Sequence, residues 1–128
     1  MRTDIQTLLA KHPGLLHRAR FASMRFEIRS SSDRLRVKVD GPRIHASLAP
    51  RDSTETSGDP TPDFSVEADA AAWHAFSRPE PPPGYHDVLA LIGAGHARFE
   101  GNGLPFYTNL FLVKGIVAAI FREDEDLW

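Results

Sequence analysis

Apolar residues recur along the chain with two different periods. From residue 24 to residue 48 they occupy every second position. Met24, Phe26 and Ile28 alternate with Arg25, Glu27 and Arg29; Leu35, Val37 and Val39 with Arg34, Arg36 and Lys38; and Ile44, Ala46 and Leu48 with Arg43, His45 and Ser47. Strict alternation gives a strand one dry face and one wet face, so three strands are predicted here. Ser30-Ser31-Ser32-Asp33 and Asp40-Gly41-Pro42 supply the turns between them. Phe64, Val66 and Ala68 predict a fourth strand, and Ala97 and Phe99 a fifth.

Elsewhere the period is helical. Thr3 and Gln6 have capping-box spacing ahead of Ile5, Leu8 and Leu9, and Leu15, Leu16 and Ala19 extend the pattern past the break at His12-Pro13-Gly14. Asp69 is placed to cap a helix bearing Ala72, Trp73 and Phe76. A polyproline-like connector over 79–84 leads to Tyr85, Val88, Leu89 and Ile92, again at helical spacing, closed by Gly93 and Gly95. After Gly101-Asn102-Gly103 the sequence predicts one last helix of about five turns. Residues 50–62 carry no anchoring apolar side chain and are expected to form a mobile exposed loop, and 122–128 an acidic tail. Strands first and helices afterwards make an α+β chain, with no internal repeat.

Length and composition narrow the class. At 128 residues and 41% hydrophobic, one domain over 1–128 is expected. The absence of cysteine excludes disulfides, thiolate-bound zinc, iron–sulfur clusters and thiol catalysis. The first residues lack the apolar run of a secretory signal, so a cytoplasmic address is expected. Leu104 to Phe121 is the most apolar stretch, but Pro105, Asn109, Lys114 and Gly115 interrupt it and no integral membrane segment is expected. The net charge of −2 conceals a division into +7 over residues 1–51 and −9 over 52–128. Either two functional tails or two halves of one fold that meet would produce it.

From Tyr85-His-Asp-Val-Leu-Ala-Leu-Ile-Gly-Ala-Gly-His-Ala-Arg-Phe-Glu-Gly-Asn onward the layout resembles the sterol carrier protein 2 family. That family has four strands, a capped helix, a Leu-rich helix ending in Gly, a short strand and a closing apolar helix. Phe64-Ser-Val-Glu-Ala-Asp69 resembles its fourth strand and the start of the helix after it, and Gly95, Phe99 and Gly101 stand where its Gly, Ile and Gly usually do. Asn102 replaces the usual Asp but can still cap a helix. The resemblance implies a five-stranded, mostly antiparallel sheet with helices packed on one face. It further implies an apolar tunnel between sheet and helices that carries a lipid, fatty acyl or sterol-like ligand without catalysis.

The last helix leaves almost no polar stripe, and a helix apolar all round must be covered on more than one side. A filled core, a dimer partner or a ligand cavity would each supply the cover. The residues expected to line such a cavity are Trp73, Phe76, Leu89 and Ile92, facing Phe106, Tyr107, Leu110, Phe111 and Val113, with Tyr107 or Thr108 as a polar handle. The alternative is a filled-core accessory module that forms a homodimer. His74, His86 and His96 with Asp87 match no compact ligand spacing, so neither metal nor cofactor is expected. No nucleophile elbow is present, and Ser30 to Ser32 read as turn residues. Arg25, Arg29, Arg34, Arg36, Lys38 and Arg43 share the wet face of the first three strands. Such a face suits a phosphate-bearing partner or an anionic surface, or else pairs with Glu27, Glu67 and Glu100; without aromatics to stack bases, nucleic acid is not expected.

Overall fold

The computed structural model describes residues 9–50 and 61–123. The Thr3–Gln6 capping box, most of the loop expected over 50–62 and nearly all of the acidic tail lie outside them. The strands are β1 (Ser23–Arg29), β2 (Asp33–Asp40), β3 (Arg43–Pro50), β4 (Phe64–Glu67) and β5 (Arg98–Gly101). The helices are α1 (Pro13–Arg18), α2 (Ala70–Ser77), α3 (Val88–Gly93), α4 (Gly103–Thr108) and α5 (Leu110–Glu123). A 3-10 turn over Ala19–Phe21 leads from α1 into β1.

The sheet runs β3-β2-β1-β4-β5. All pairs are antiparallel except β1 with β4, which lie parallel with Phe26 beside Phe64 and Ile28 beside Val66. β1 is therefore the centre of the sheet. The alternation read from the sequence sets which side is dry: Met24, Phe26, Ile28, Leu35, Val37, Val39, Ile44, Phe64 and Val66 are all buried, and the helices cover that face. The β1–β2 turn is tied by Ser30, whose buried hydroxyl accepts from the main-chain N–H of Asp33 at 3.1 Å and of Ser32 at 3.3 Å. This is the turn role expected of these serines.

Two aspartates cap helices. Asp69 accepts from Ala72 N–H at 2.8 Å and starts α2 as expected, while Asp87 does the same for α3 through Ala90 N–H at 2.8 Å. α3 is shorter than its periodicity suggests and buries Val88 and Leu91, leaving Leu89 and Ile92 half-buried and Tyr85 outside the helix. Tyr85 instead stacks on His96 with ring centroids 4.1 Å apart.

The predicted last helix is two helices. Asn109 adopts φ −114°, ψ 30° between them, and its side-chain amide donates to the Pro105 carbonyl at 3.0 Å. The Asn109 main-chain N–H donates to the same carbonyl at 3.2 Å, and its carbonyl accepts from Val113 N–H at 2.9 Å, so the division lies in the backbone angles of one residue, which apolar spacing does not register. Arg122 pins the far end: Nε donates to the Phe76 carbonyl at 3.0 Å, and the guanidinium also reaches the His86 carbonyl and lies 4.4 Å over the Phe76 ring. It thereby satisfies an orphan carbonyl at the end of α2.

Two glycines permit close approach. A Cβ on Gly115 would collide with the Leu15 side chain of α1, so its absence lets α1 seat on α5. Gly101 has φ +107°, and a Cβ there would lie 2.6 Å from the Asp63 carbonyl oxygen and 2.8 Å from Phe64 Cα. The clash is with main chain and cannot be relieved by a rotamer change. Gly101→Ala is therefore expected to destabilise the fold by about 3 kcal/mol, from overpacking and from the left-handed backbone together. Urea unfolding of the two proteins measures it.

Candidate functional site

The layer between sheet and helices holds two aromatic groups. At one end, α2 and α5 bring Trp73 flat against Phe121 with centroids 4.8 Å apart, and Phe76 meets both edge-on at 6.0 Å. The Trp73 indole N–H donates to the Arg29 carbonyl at 3.0 Å, which anchors α2 over the end of β1. At the other end, Phe26 stacks on Phe64 at 5.1 Å, Phe64 on Phe99 at 5.5 Å, and Phe106 of α4 meets Phe64 edge-on at 5.3 Å. Val113, Ile116, Val117 and Ile120 of α5 are buried with both groups in a single core cluster.

The expected lining residues divide by exposure. Trp73, Phe76, Phe106 and Val113 are buried at 0–1% exposure, and Leu89, Ile92 and Leu110 are half-buried. Tyr107 and Phe111 are 62% and 69% exposed and share an outward stripe with Leu104 at 72%. Phe106 and Tyr107 are in ring contact at 5.0 Å, so the exposed stripe is continuous with the buried aromatics beneath α4. Arg18 and Lys114 lie 5.8 and 5.6 Å over the Phe111 ring. Phe26, Phe64, Phe99 and Phe121 also belong to this layer. Their alternation or helical spacing marked them as core, but nothing in the sequence showed that they would face Phe106 or Trp73.

Cavities occur elsewhere on the molecule. One of about 310 Å³ lies between α1 and α5, lined by Leu15, Gly115, Ala118, Ala119 and Arg122 with His12. One of about 300 Å³ lies beside Asp69, His96 and Arg98. Two more, of about 280 and 440 Å³, lie against the sheet side chains Arg25 and Lys38.

The histidines do not converge. His86 Nε2 is 3.9 Å from Asp87 Oδ2, His96 is engaged by Tyr85, and His74 is exposed on α2. Among the described residues no three His, Asp or Glu side chains are grouped to hold a metal ion. Asp87 has a structural role, since besides capping α3 it pairs with Lys114 Nζ of α5 at 3.1 Å. Burial pushes its carboxyl upward, but the Ala90 N–H, the Lys114 ammonium and His86 outweigh this and hold it below the usual value.

On the outer face the expected carboxylate pairing is present in one half. Glu27, 3% exposed, receives Arg29 on Oε1 at 3.0 Å and Arg36 on Oε2 at 3.2 Å. Arg98 spans Glu67 at 3.3 Å and Glu100 at 3.2 Å. These pairs fall within each half of the chain, and the +7 and −9 halves meet where Arg29 Nη1 reaches Glu100 Oε2 at 4.0 Å.

No protein-family model matches the chain, and no curated protein matches it. Solved structures do. A conserved hypothetical protein of Thermus thermophilus, TT1886, suggested to be a sterol carrier protein, superposes with TM-score 0.66 at 12% identity over 94% of this chain and 82% of its own. The ubiquinone synthesis protein UbiJ-SCP2 superposes with TM-score 0.52 at 18% identity over 93% and 84%. The stereoselective inverting sec-alkylsulfatase Pisa1 of Pseudomonas sp. matches with TM-score 0.52 at 12% identity, over 76% of this chain but 14% of that enzyme.

Asp87 couples α3 to α5, so its titration should be visible in stability. Its carboxyl is depressed in the fold, so the stability it contributes is present above the unfolded value of about 3.9 and is lost as pH falls through the lower folded value. Melting curves between about pH 2 and pH 6 should show a smaller acid loss in Asp87→Asn than in the parent. Identical slopes would mean that the cap and the Lys114 pair carry no net stabilisation.

Proposed function

We infer that this chain, whose α+β fold is that of sterol carrier protein 2, carries an apolar or amphipathic ligand between its sheet and helices without catalysing a reaction. The observation that carries the reading is the exposure of three large apolar side chains, Leu104, Tyr107 and Phe111, on α4 and the start of α5, with Tyr107 in ring contact with the buried Phe106. Monomeric proteins rarely leave such side chains grouped on one face without use. The neighbours with this fold support the ligand class, since one is suggested to be a sterol carrier and another serves ubiquinone synthesis.

In this reading a lipid, fatty acyl or sterol-like molecule enters at the corner between α4 and α5. α4 has six residues and ends at the Asn109 break, so it can swing outward without unwinding α5. Phe106 then yields space beside Phe64 and Phe99, and Leu110 and Val113 become part of the lining. Trp73 and Phe76, with Leu89 and Ile92 on α3, close the far end, while Tyr107 offers a hydroxyl to a polar head. Ten buried methylenes at about 0.8 kcal/mol each give about 8 kcal/mol, the scale of a micromolar Kd. Among the described residues no helix is long and apolar enough to cross a membrane, and the carrier is read as a cytoplasmic single-domain protein over 1–128.

A second reading draws on the same stripe: a homodimer in which a second copy covers Leu104, Tyr107 and Phe111 and the core stays filled. Native mass spectrometry of the protein as purified separates the two. The carrier reading expects a monomer with an added lipid mass and uptake of a fluorescent fatty acid. Leu110→Trp should reduce uptake several-fold while lowering Tm by only a few degrees, about 1 kcal/mol at a half-buried site. An apo dimer that takes up no fatty acid, or equal loss of uptake and folding in Leu110→Trp, overturns it.

A further inference from the structure

The outer face of the sheet is not uniformly neutralised. Glu27, Glu67 and Glu100 pair with Arg29, Arg36 and Arg98 over β4, β5 and the end of β1. The row nearer the start of β1 is different. Arg25 stands opposite Lys38, and Lys38 opposite His45, so three basic side chains lie side by side across β1, β2 and β3. No ion pair or hydrogen bond engages any of these three side chains among the described residues. Arg25 and Lys38 are like charges directly opposite on neighbouring strands, an arrangement that repels and costs stability.

Among the described residues, the nearby carboxylates are committed elsewhere or displaced to one side. Both oxygens of Glu27 are taken by Arg29 and Arg36. Asp63 accepts from the main-chain N–H of Arg25 at 2.9 Å rather than from its guanidinium. Asp40 stands opposite Arg43 at the end of the hairpin. The basic row borders a groove of about 280 Å³, whose other wall is Glu27, Arg36 and Ser47, with Pro62 also lining it. A groove of this volume has room for one or two phosphoryl groups.

We propose that the groove bordered by Arg25, Lys38 and His45 is a binding site for a small soluble phosphoester or diphosphate. Arg25 contributes a planar donor fork suited to two phosphate oxygens, Lys38 a mobile ammonium between its neighbours, and His45 a ring N–H at the edge strand. The anion removes the repulsion within the row, so the row is more favourable with ligand bound than without it. A concave groove favours a small molecule over a flat bilayer, and Phe26, the one Phe, Tyr or Trp among the described lining residues, is buried on the dry face of the sheet and presents no ring to a nucleic-acid base. The site lies on the opposite face of the sheet from the apolar layer and does not depend on the carrier reading.

The probe is inorganic pyrophosphate, titrated into the full-length protein at about 0.05 M ionic strength and followed by amide resonances. Shifts should concentrate at Arg25, Lys38, His45 and Ser47. Lys38→Glu should weaken binding by about tenfold or more without lowering Tm, since a carboxylate opposite Arg25 relieves the repulsion. Arg25→Gln should weaken it as well, and Arg98→Gln, on the paired half of the same face, should not. The proposal is overturned if pyrophosphate shifts none of these amides, or if Arg98→Gln weakens binding as much as Lys38→Glu does. It is also overturned if only phosphatidylglycerol vesicles or a single-stranded oligonucleotide bind there.

Discussion

The parallel pairing of β1 with β4, with Phe26 set beside Phe64, joins the hairpin half of the chain to the helical half, and the placement of both faces of the sheet follows from it. Side chains in a strand alternate with period two, so a slip of one residue would exchange the faces of β4 relative to β1. Phe64 and Val66 would then point into water and Ser65 and Glu67 into the core. The register is fixed by what lies above it: Phe64 is held between Phe26 and Phe99 and is met edge-on by Phe106. Gly101 serves the same contact from β5, because only a residue without Cβ lets that strand lie against the Asp63–Phe64 main chain.

From that register the helical layer assembles in order. β4 delivers the chain to Asp69, whose carboxylate caps α2 and so sets Trp73 over the Arg29 carbonyl. Trp73 in turn stacks on Phe121, and Arg122 binds the end of α2 and the His86 carbonyl. α5 is therefore held firmly at its C-terminal half. Its N-terminal end, together with α4, carries the exposed Leu104, Tyr107 and Phe111. One end of the layer is thus fixed by polar anchors, while the other carries the exposed apolar side chains.

The same register distributes charge on the other face. Residues contributed by β4 and β5 bring Glu67 and Glu100 toward arginines of β1 and β5, while Glu27 draws in Arg29 and Arg36. β4 and β5 pair from Phe26 and Phe64 onward, so their carboxylates do not extend to the row at Arg25. The basic row is what remains when a sheet is neutralised from one side only. It sits on a groove, not on a flat surface, which distinguishes it from an ordinary solvated face.

The sequence by itself determined the strands, their dry faces, the capping of α2 by Asp69 and the α+β class, because each of these depends on neighbours a few residues apart. Alternation at Met24–Ile28 or Leu35–Val39 reads the backbone period directly, and the layout from Tyr85 to Asn102 carried the family resemblance. Which helical residues would be covered was decided by tertiary structure. Leu89, Leu91 and Ile92 are equally apolar, yet Leu91 alone of the three is fully buried, since the face presented to α5 depends on the Asp87–Lys114 pair. Tyr107 and Phe111 look like core in an unbroken helix and become surface once Asn109 divides α4 from α5. The basic row across β1, β2 and β3 likewise required the strand register, because Arg25, Lys38 and His45 acquire their meaning from being opposite one another. Periodicity reports the geometry of a segment with itself, whereas burial and charge pairing are set by partners distant in the chain.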